Sequence, residues 1–164
     1  MAAVVRATSH HGAADDGSTT DVAGTTLYMK QADTDTSGGA VPRSQNGWIK
    51  QIQLYVLSEP IHKIESLKWY WTGSAVAEIS VNGKLSATYT DPVTQAATAL
   101  TGTASMYGYT AGAPLSQDGD FVVGTDTAPI FIGQFLQLQT AVGASAAVAS
   151  DVALGVLVAR FDES

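Results

Sequence analysis

Asp33, Asp35 and Ser37 stand at alternate positions and run into Gly38–Gly39, so three side-chain oxygens lie within a few residues of chain. Hard cations such as calcium take oxygen ligands, and an EF-hand loop places them first, third and fifth, with glycine sixth and a bidentate glutamate twelfth. Asp33, Asp35, Ser37 and Gly38 meet the first four demands. The twelfth place falls to Ser44, Pro42 interrupts the loop, and the flanking segments read as strands rather than helices. The same residues also describe a turn, because Asp and Ser side chains cap backbone amides and glycines supply positive φ. The turn is the expectation, with a calcium site on Asp33, Asp35 and Ser37 as the alternative. No resident metal or cofactor is expected.

Other chemistry finds less support. Cysteine is absent, which excludes disulfides, thiolate catalysis and zinc–sulfur sites. His10 and His11 are adjacent, and His62 opens a strand-like segment, a poor spacing for a designed metal site. Serines and threonines abound, but no G-x-S-x-G elbow accompanies them. Glu59, Glu65 and Glu78 are the carboxylates a glycosidase pair would draw on, yet Glu65 and Glu78 read as solvent-facing charges. Phosphate-cradling glycine motifs are missing. The chain is not expected to be an enzyme.

Aromatic residues concentrate at Trp48, Tyr55, Trp69, Tyr70 and Trp71. Alternation groups Trp69 and Trp71 with Leu67, which predicts core. Tyr55 and Tyr70 fall on the other register, where an amphipathic ring suits a partly wet contact. Together with Leu157 and Phe161 on the last strand-like segment, they form the expected partner interface.

The elements that must position these residues are strands. The segments "TTLYMKQ" (25–31), "WIKQIQLYVL" (48–57), "IHKIESLKWYW" (61–71) and "AVAEISVNG" (75–83) show period-two patterning or β-rich composition. In the second, Trp48, Ile52, Leu54 and Val56 share a face, and Lys50, Gln51 and Gln53 flag the register. Asn82–Gly83 predicts a hairpin with "KLSATYT" (84–90) as its returning strand. Residues 91–128 are rich in Thr, Ala and Gly and predict turns around short strands near 104–110, with a helix over 91–101 as another reading. "PIFIGQFLQLQTAV" (129–142) and "DVALGVLVARF" (151–161) close the chain. The last is apolar on both faces, so it is either a central strand or one covered by another subunit.

Composition sets the frame. The chain has 164 residues, 45% of them hydrophobic and only 14% charged, with a net charge of −7. No Lys or Arg stands between Lys84 and Arg160, so the basic stripe that nucleic acid requires is missing, and anionic membranes are disfavoured. The overall acidity favours a basic protein partner. Residues 1–24 lack periodicity and predict a flexible N-terminal arm, with residues 25–164 as one domain. The start lacks an apolar stretch of signal-peptide length, and a soluble protein that is not classically secreted is expected. The strand count predicts an all-β fold, a single antiparallel β-sandwich, jelly-roll-like.

With the strands in place, "LYMKQADTDTSGGAVPRS…GWIKQIQLYVLSEPIHKIESLKWYW" resembles small structural proteins of tailed bacteriophages and related viruses. The likeness is carried by Lys30 to Thr36, Pro42, Trp48 to Leu54 and Ile64 to Trp69, within roughly residues 25–71. Gly38–Gly39 departs from it, standing where the pattern has an Asn–Pro type segment. The resemblance implies a capsid decoration (cement) protein located on the virion surface. Such a protein binds the major capsid protein at subunit junctions as a homo-oligomer, often a trimer, with its arm lent to a neighbour. The alternative function is a lectin-like or receptor-binding β-module of a tail fibre or cell surface.

Overall fold

The computed structural model describes residues 4–12, 14–29, 40–57, 62–92, 98–123, 130–147 and 152–163. Its strands are β1 (Val4–His10), β2 (Gln45–Asn46), β3 (Lys50–Leu57), β4 (His62–Thr72), β5 (Ile79–Ser86), β6 (Ala104–Ser105), β7 (Leu115–Val123), β8 (Ile130–Val142) and β9 (Val156–Glu163). A 3₁₀ turn, Met106–Gly108, follows β6. The larger sheet runs β1-β3-β8-β5-β6, with β2 also on β8, and the smaller runs β7-β4-β9. All pairings are antiparallel. The chain is therefore an all-β sandwich. Three of its pairings are nested, β3 with β8, β4 with β7 and β5 with β6, while β4 also pairs β9 and β5 also pairs β8.

Alternation builds the core. Ile52, Leu54 and Val56 of β3 join Ile132, Leu136 and Leu138 of β8 in one buried cluster with Ile64, Leu67, Trp69 and Trp71 of β4. Ile64 and Leu67 are both fully buried although three residues apart, which a regular strand forbids. A bulge supplies the extra residue: Ser66 takes φ 54°, and between Glu65 and Lys68 three steps of β4 oppose two of β9. In β8, Leu136 and Ile132 oppose Ile52 and Leu54, so four residues span what two span on β3. Gly133, at φ 73°, takes up the surplus. Burial pushes the phenol of Tyr107 above its ordinary pKa, against the opposing effect of a backbone hydrogen bond with Val76.

Several expectations are corrected here. Val4–His10, expected as part of a flexible arm over 1–24, is strand β1, in register with β3 from Val4↔Leu57 to His10↔Gln51. Its Ala, Thr and Ser residues carry little hydrophobic signal, and pairing with β3 supplies what periodicity does not. Residues 25–29 of the expected strand 25–31 are irregular. Asn82–Gly83 is no hairpin, because β5 runs straight through it to Ser86. Gly83 is there for space: a Cβ would lie 2.5 Å from the Met106 sulfur and 3.0 Å from Leu138. Residues 91, 92 and 98–101 form no helix, and the rest of that reading lies outside the described residues.

The outer face of the larger sheet is also covered. Gln51 and Gln53 are buried there with Gln137 and Gln139, and Lys50, opposite Leu138 on the core side, is buried as well. Gln51 donates to Thr90 O at 2.6 Å and accepts from Thr90 N at 2.8 Å. Gln137 Nε2 donates to Gln51 Oε1 at 2.9 Å and to Thr90 Oγ1 at 2.9 Å. Gln139 accepts from Leu100 N at 2.7 Å and donates to Gly47 O and Thr98 O at 2.9 and 2.8 Å. A primary amide offers a donor and an acceptor like a peptide, so these side chains pair with loop backbone as a further strand would. Beside them His10 packs against Phe131 and Phe135, each 5.2 Å away between ring centres. Tyr89 meets Phe135 at 5.8 Å and donates to Gly12 O at 2.7 Å.

Candidate partner interface

The smaller sheet is the face left open. β4 is its centre, and β7 and β9 are its two edges. β9 answers the question its two-sided apolar sequence raised: among the described residues it is an edge strand paired with β4 alone. Alternation sends Leu157, Ala159 and Phe161 inward, where they pack against the core while staying partly exposed. Val156 is 61% exposed and, with exposed Val152 ahead of it, puts apolar surface beside an open edge. Exposed edges with apolar side chains are where β-proteins recruit further chains.

On the outer face, β4 sets Tyr70 opposite Val158, and Lys68 opposite Arg160. Tyr70 and Lys68 are half-buried and Arg160 is exposed. Neither cation forms an ion pair among the described residues. Like charges directly opposed across a strand pair repel. The same two strands also set Glu65 opposite Asp162, so this face carries both signs of charge around one tyrosine.

Of the four residues expected at the interface, three lie on this sheet but not on one face: Tyr70 points outward, while Leu157 and Phe161 pack inward against the core. Tyr55 is corrected. It is fully buried on the outer face of the larger sheet, and its hydroxyl donates to Thr19 O under a stretch of its own chain. Lys68 and Arg160 were missed, and the signal available was their scarcity: two of only eight Lys and Arg residues.

The expected calcium alternative on Asp33, Asp35 and Ser37 lies outside the described residues. Among the described residues, His10, Asp15 and Asp16 bring three possible ligand atoms within 4.8 Å of one another. His10 Nδ1 is 2.6 Å from Asp15 Oδ1 and 3.7 Å from Asp16 Oδ1. A metal-bound histidine normally donates its other ring N–H to an acceptor, and the buried Nε2 of His10 has none. Both aspartates already accept from backbone amides, at Gly17 and Ser18. The cluster suits a latch that holds residues 15–18 over the sheet better than it suits a cation.

No family model, no curated protein and no solved structure matches this chain.

Proposed function

We propose that the protein is a virion structural protein of the capsid decoration type. It binds the outside of the assembled capsid at junctions between major capsid protein subunits, stabilises the shell there, and acts as a homo-oligomer, a trimer in the simplest case. Binding is the function, with no catalytic step. The observation that carries this reading is the asymmetry of the sandwich. One sheet is sealed by its own loops, while the other keeps an outer face where Lys68 and Arg160, without an ion pair among the described residues, stand around Tyr70, and an apolar edge at β9. The nested pairing supports the finer, jelly-roll description, an arrangement that capsid and lectin domains share. Fold alone does not choose between those uses, so the open face bears the argument.

Trimerisation would let weak single contacts sum, since each further contact is made at high effective concentration. The test is co-sedimentation of the purified chain with capsids stripped of accessory proteins, beside its mass in solution. Saturable attachment by an oligomer is expected, and Lys68→Glu with Arg160→Glu should weaken it at least about tenfold, as close charge pairs at interfaces do. A monodisperse monomer with no affinity for particles would overturn the proposal.

A further inference from the structure

A strand with one neighbour leaves N–H and C=O groups unmet along its free side, and β-proteins guard such edges with charges, short strands or covering chain. Most edges of this sandwich are guarded. On β1, Ala7 O accepts from Val22 N at 2.8 Å, which lays the following chain on that strand. β2 and β6 are two residues long. β7 has Asp118–Gly119–Asp120 in its middle, and Gln117 Oε1 accepts from Gln134 N at 3.0 Å, which ties its start to β8. β9 is the exception. Its ladder is with β4, and among the described residues no other backbone hydrogen bond reaches it. It contains neither lysine nor proline, and the bulge in its pairing sits on β4.

The charges of β9 are placed badly for one chain and well for two. Lys68 stands opposite Arg160 and Glu65 opposite Asp162, so each β9 charge faces its own sign across the ladder. Arg160 and Asp162 are exposed, and neither forms an ion pair among the described residues. Consider a second β9 laid antiparallel on the free side, about a two-fold axis at Phe161. Arg160 then lies opposite the copy's Asp162, and Asp162 opposite the copy's Arg160. The row across the joint reads Lys68, Arg160, Asp162, Glu65: a basic pair meets an acidic pair, and the axis repeats the row in reverse. Neighbouring registers lose this. An axis at Arg160 or Asp162 sets that charge against itself, and one at Ala159 or Val158 sets Arg160 against valine. An axis between residues would put the outer face of one copy beside the inner face of the other. On the inner face, the axis at Phe161 brings two partly exposed aromatic rings together, a favourable cross-strand pair.

We infer that β9 is a self-recognition edge. A second copy of this chain adds to it antiparallel in that register, and two three-stranded sheets become one sheet of six. The contact is isologous, the commonest symmetry of soluble oligomers. This inference rests on the homo-oligomer of the capsid proposal and gives it a two-fold contact in place of the trimer.

Sedimentation equilibrium of the full chain across the micromolar range tests it, with a dimer expected. Arg160→Asp leaves only acids at the joint and Asp162→Arg only bases, so each should weaken self-association at least about tenfold. Mixed one to one, the two variants oppose unlike charges at both places, and a heterodimer of parental affinity is expected. Both positions are exposed, and circular dichroism checks that each variant folds. If either does not, Arg160→Asp combined with Asp162→Arg decides alone, since it restores unlike pairs and should dimerise like the parent. The chain has no cysteine, so Phe161→Cys reports the register: its thiols should cross-link between copies on mild oxidation, and those of Val158→Cys should not. A monomeric or trimeric parent, no recovery in the mixture, or preferential cross-linking through Val158→Cys would overturn the inference. A dimer without affinity for capsids overturns the capsid proposal alone, and a trimer that binds them overturns this inference alone.

Discussion

The two sheets of this sandwich solve the same problem in opposite ways. Each has an inner face that is apolar by alternation and an outer face that is not. The larger sheet covers its outer face with its own chain, using Gln51, Gln137 and Gln139 to hold loop backbone and His10, Tyr55 and Phe135 to fill the space between. The smaller sheet leaves Tyr70, Lys68 and Arg160 facing outward and its edges unpaired. The difference shows that polarity on the off-register face of a strand does not settle whether that face meets water. What settles it is whether the side chains can satisfy a covering backbone, which amides do well and unpaired ammonium groups do badly.

Perturbing each face separately tests the contrast. The largest effect is expected for Gln139→Ala, which strips partners from Leu100 N–H, Gly47 C=O and Thr98 C=O at once. Chemical denaturation should show a loss of about 2–4 kcal/mol, and a loss under about 1 kcal/mol would mean that loop does not seal the sheet. His10→Phe keeps the aromatic packing and removes the bond to Asp15. A loss of about 1 kcal/mol in thermal unfolding is expected, with faster proteolysis within residues 11–22. Cleavage at the parental rate would remove the latch from the account. The smallest effect belongs to the open face: Tyr70→Ala should change stability by no more than about 1 kcal/mol while weakening capsid attachment severalfold. Were it to destabilise as strongly as Gln139→Ala, the two faces would not differ in kind.

These residues also mark what was legible in the sequence. The β3 and β4 segments declared themselves, because Ile52, Leu54, Val56, Leu67, Trp69 and Trp71 alternate cleanly and all are buried. Three signals misled for physical reasons. Asn82–Gly83 carries strong turn chemistry, but the glycine serves to admit Met106, a need set by a residue 23 positions later, from Gly83 to Met106. β1 is too short of large apolar side chains to show a period, and gains its order from β3. Tyr55 read as surface because period two separates two faces without saying what covers either. On the smaller sheet, the apolar last segment is an edge strand, and the opposed cations Lys68 and Arg160 needed the register to be seen as neighbours.

The position of β8 has a consequence for how the protein comes into being. This one strand pairs with β2, β3 and β5, and it lies at residues 130–142 of 164. Most of the larger sheet therefore waits for a segment made only after β2, β3 and β5. Until then the apolar faces of β3 and β5 have no central neighbour, and the nested pairings close over long stretches of chain. Such non-local topologies fold on the order of milliseconds to seconds rather than microseconds. A nascent chain of this protein should thus stay dependent on holding factors until late, and truncation before residue 130 should leave material that aggregates rather than a smaller stable domain.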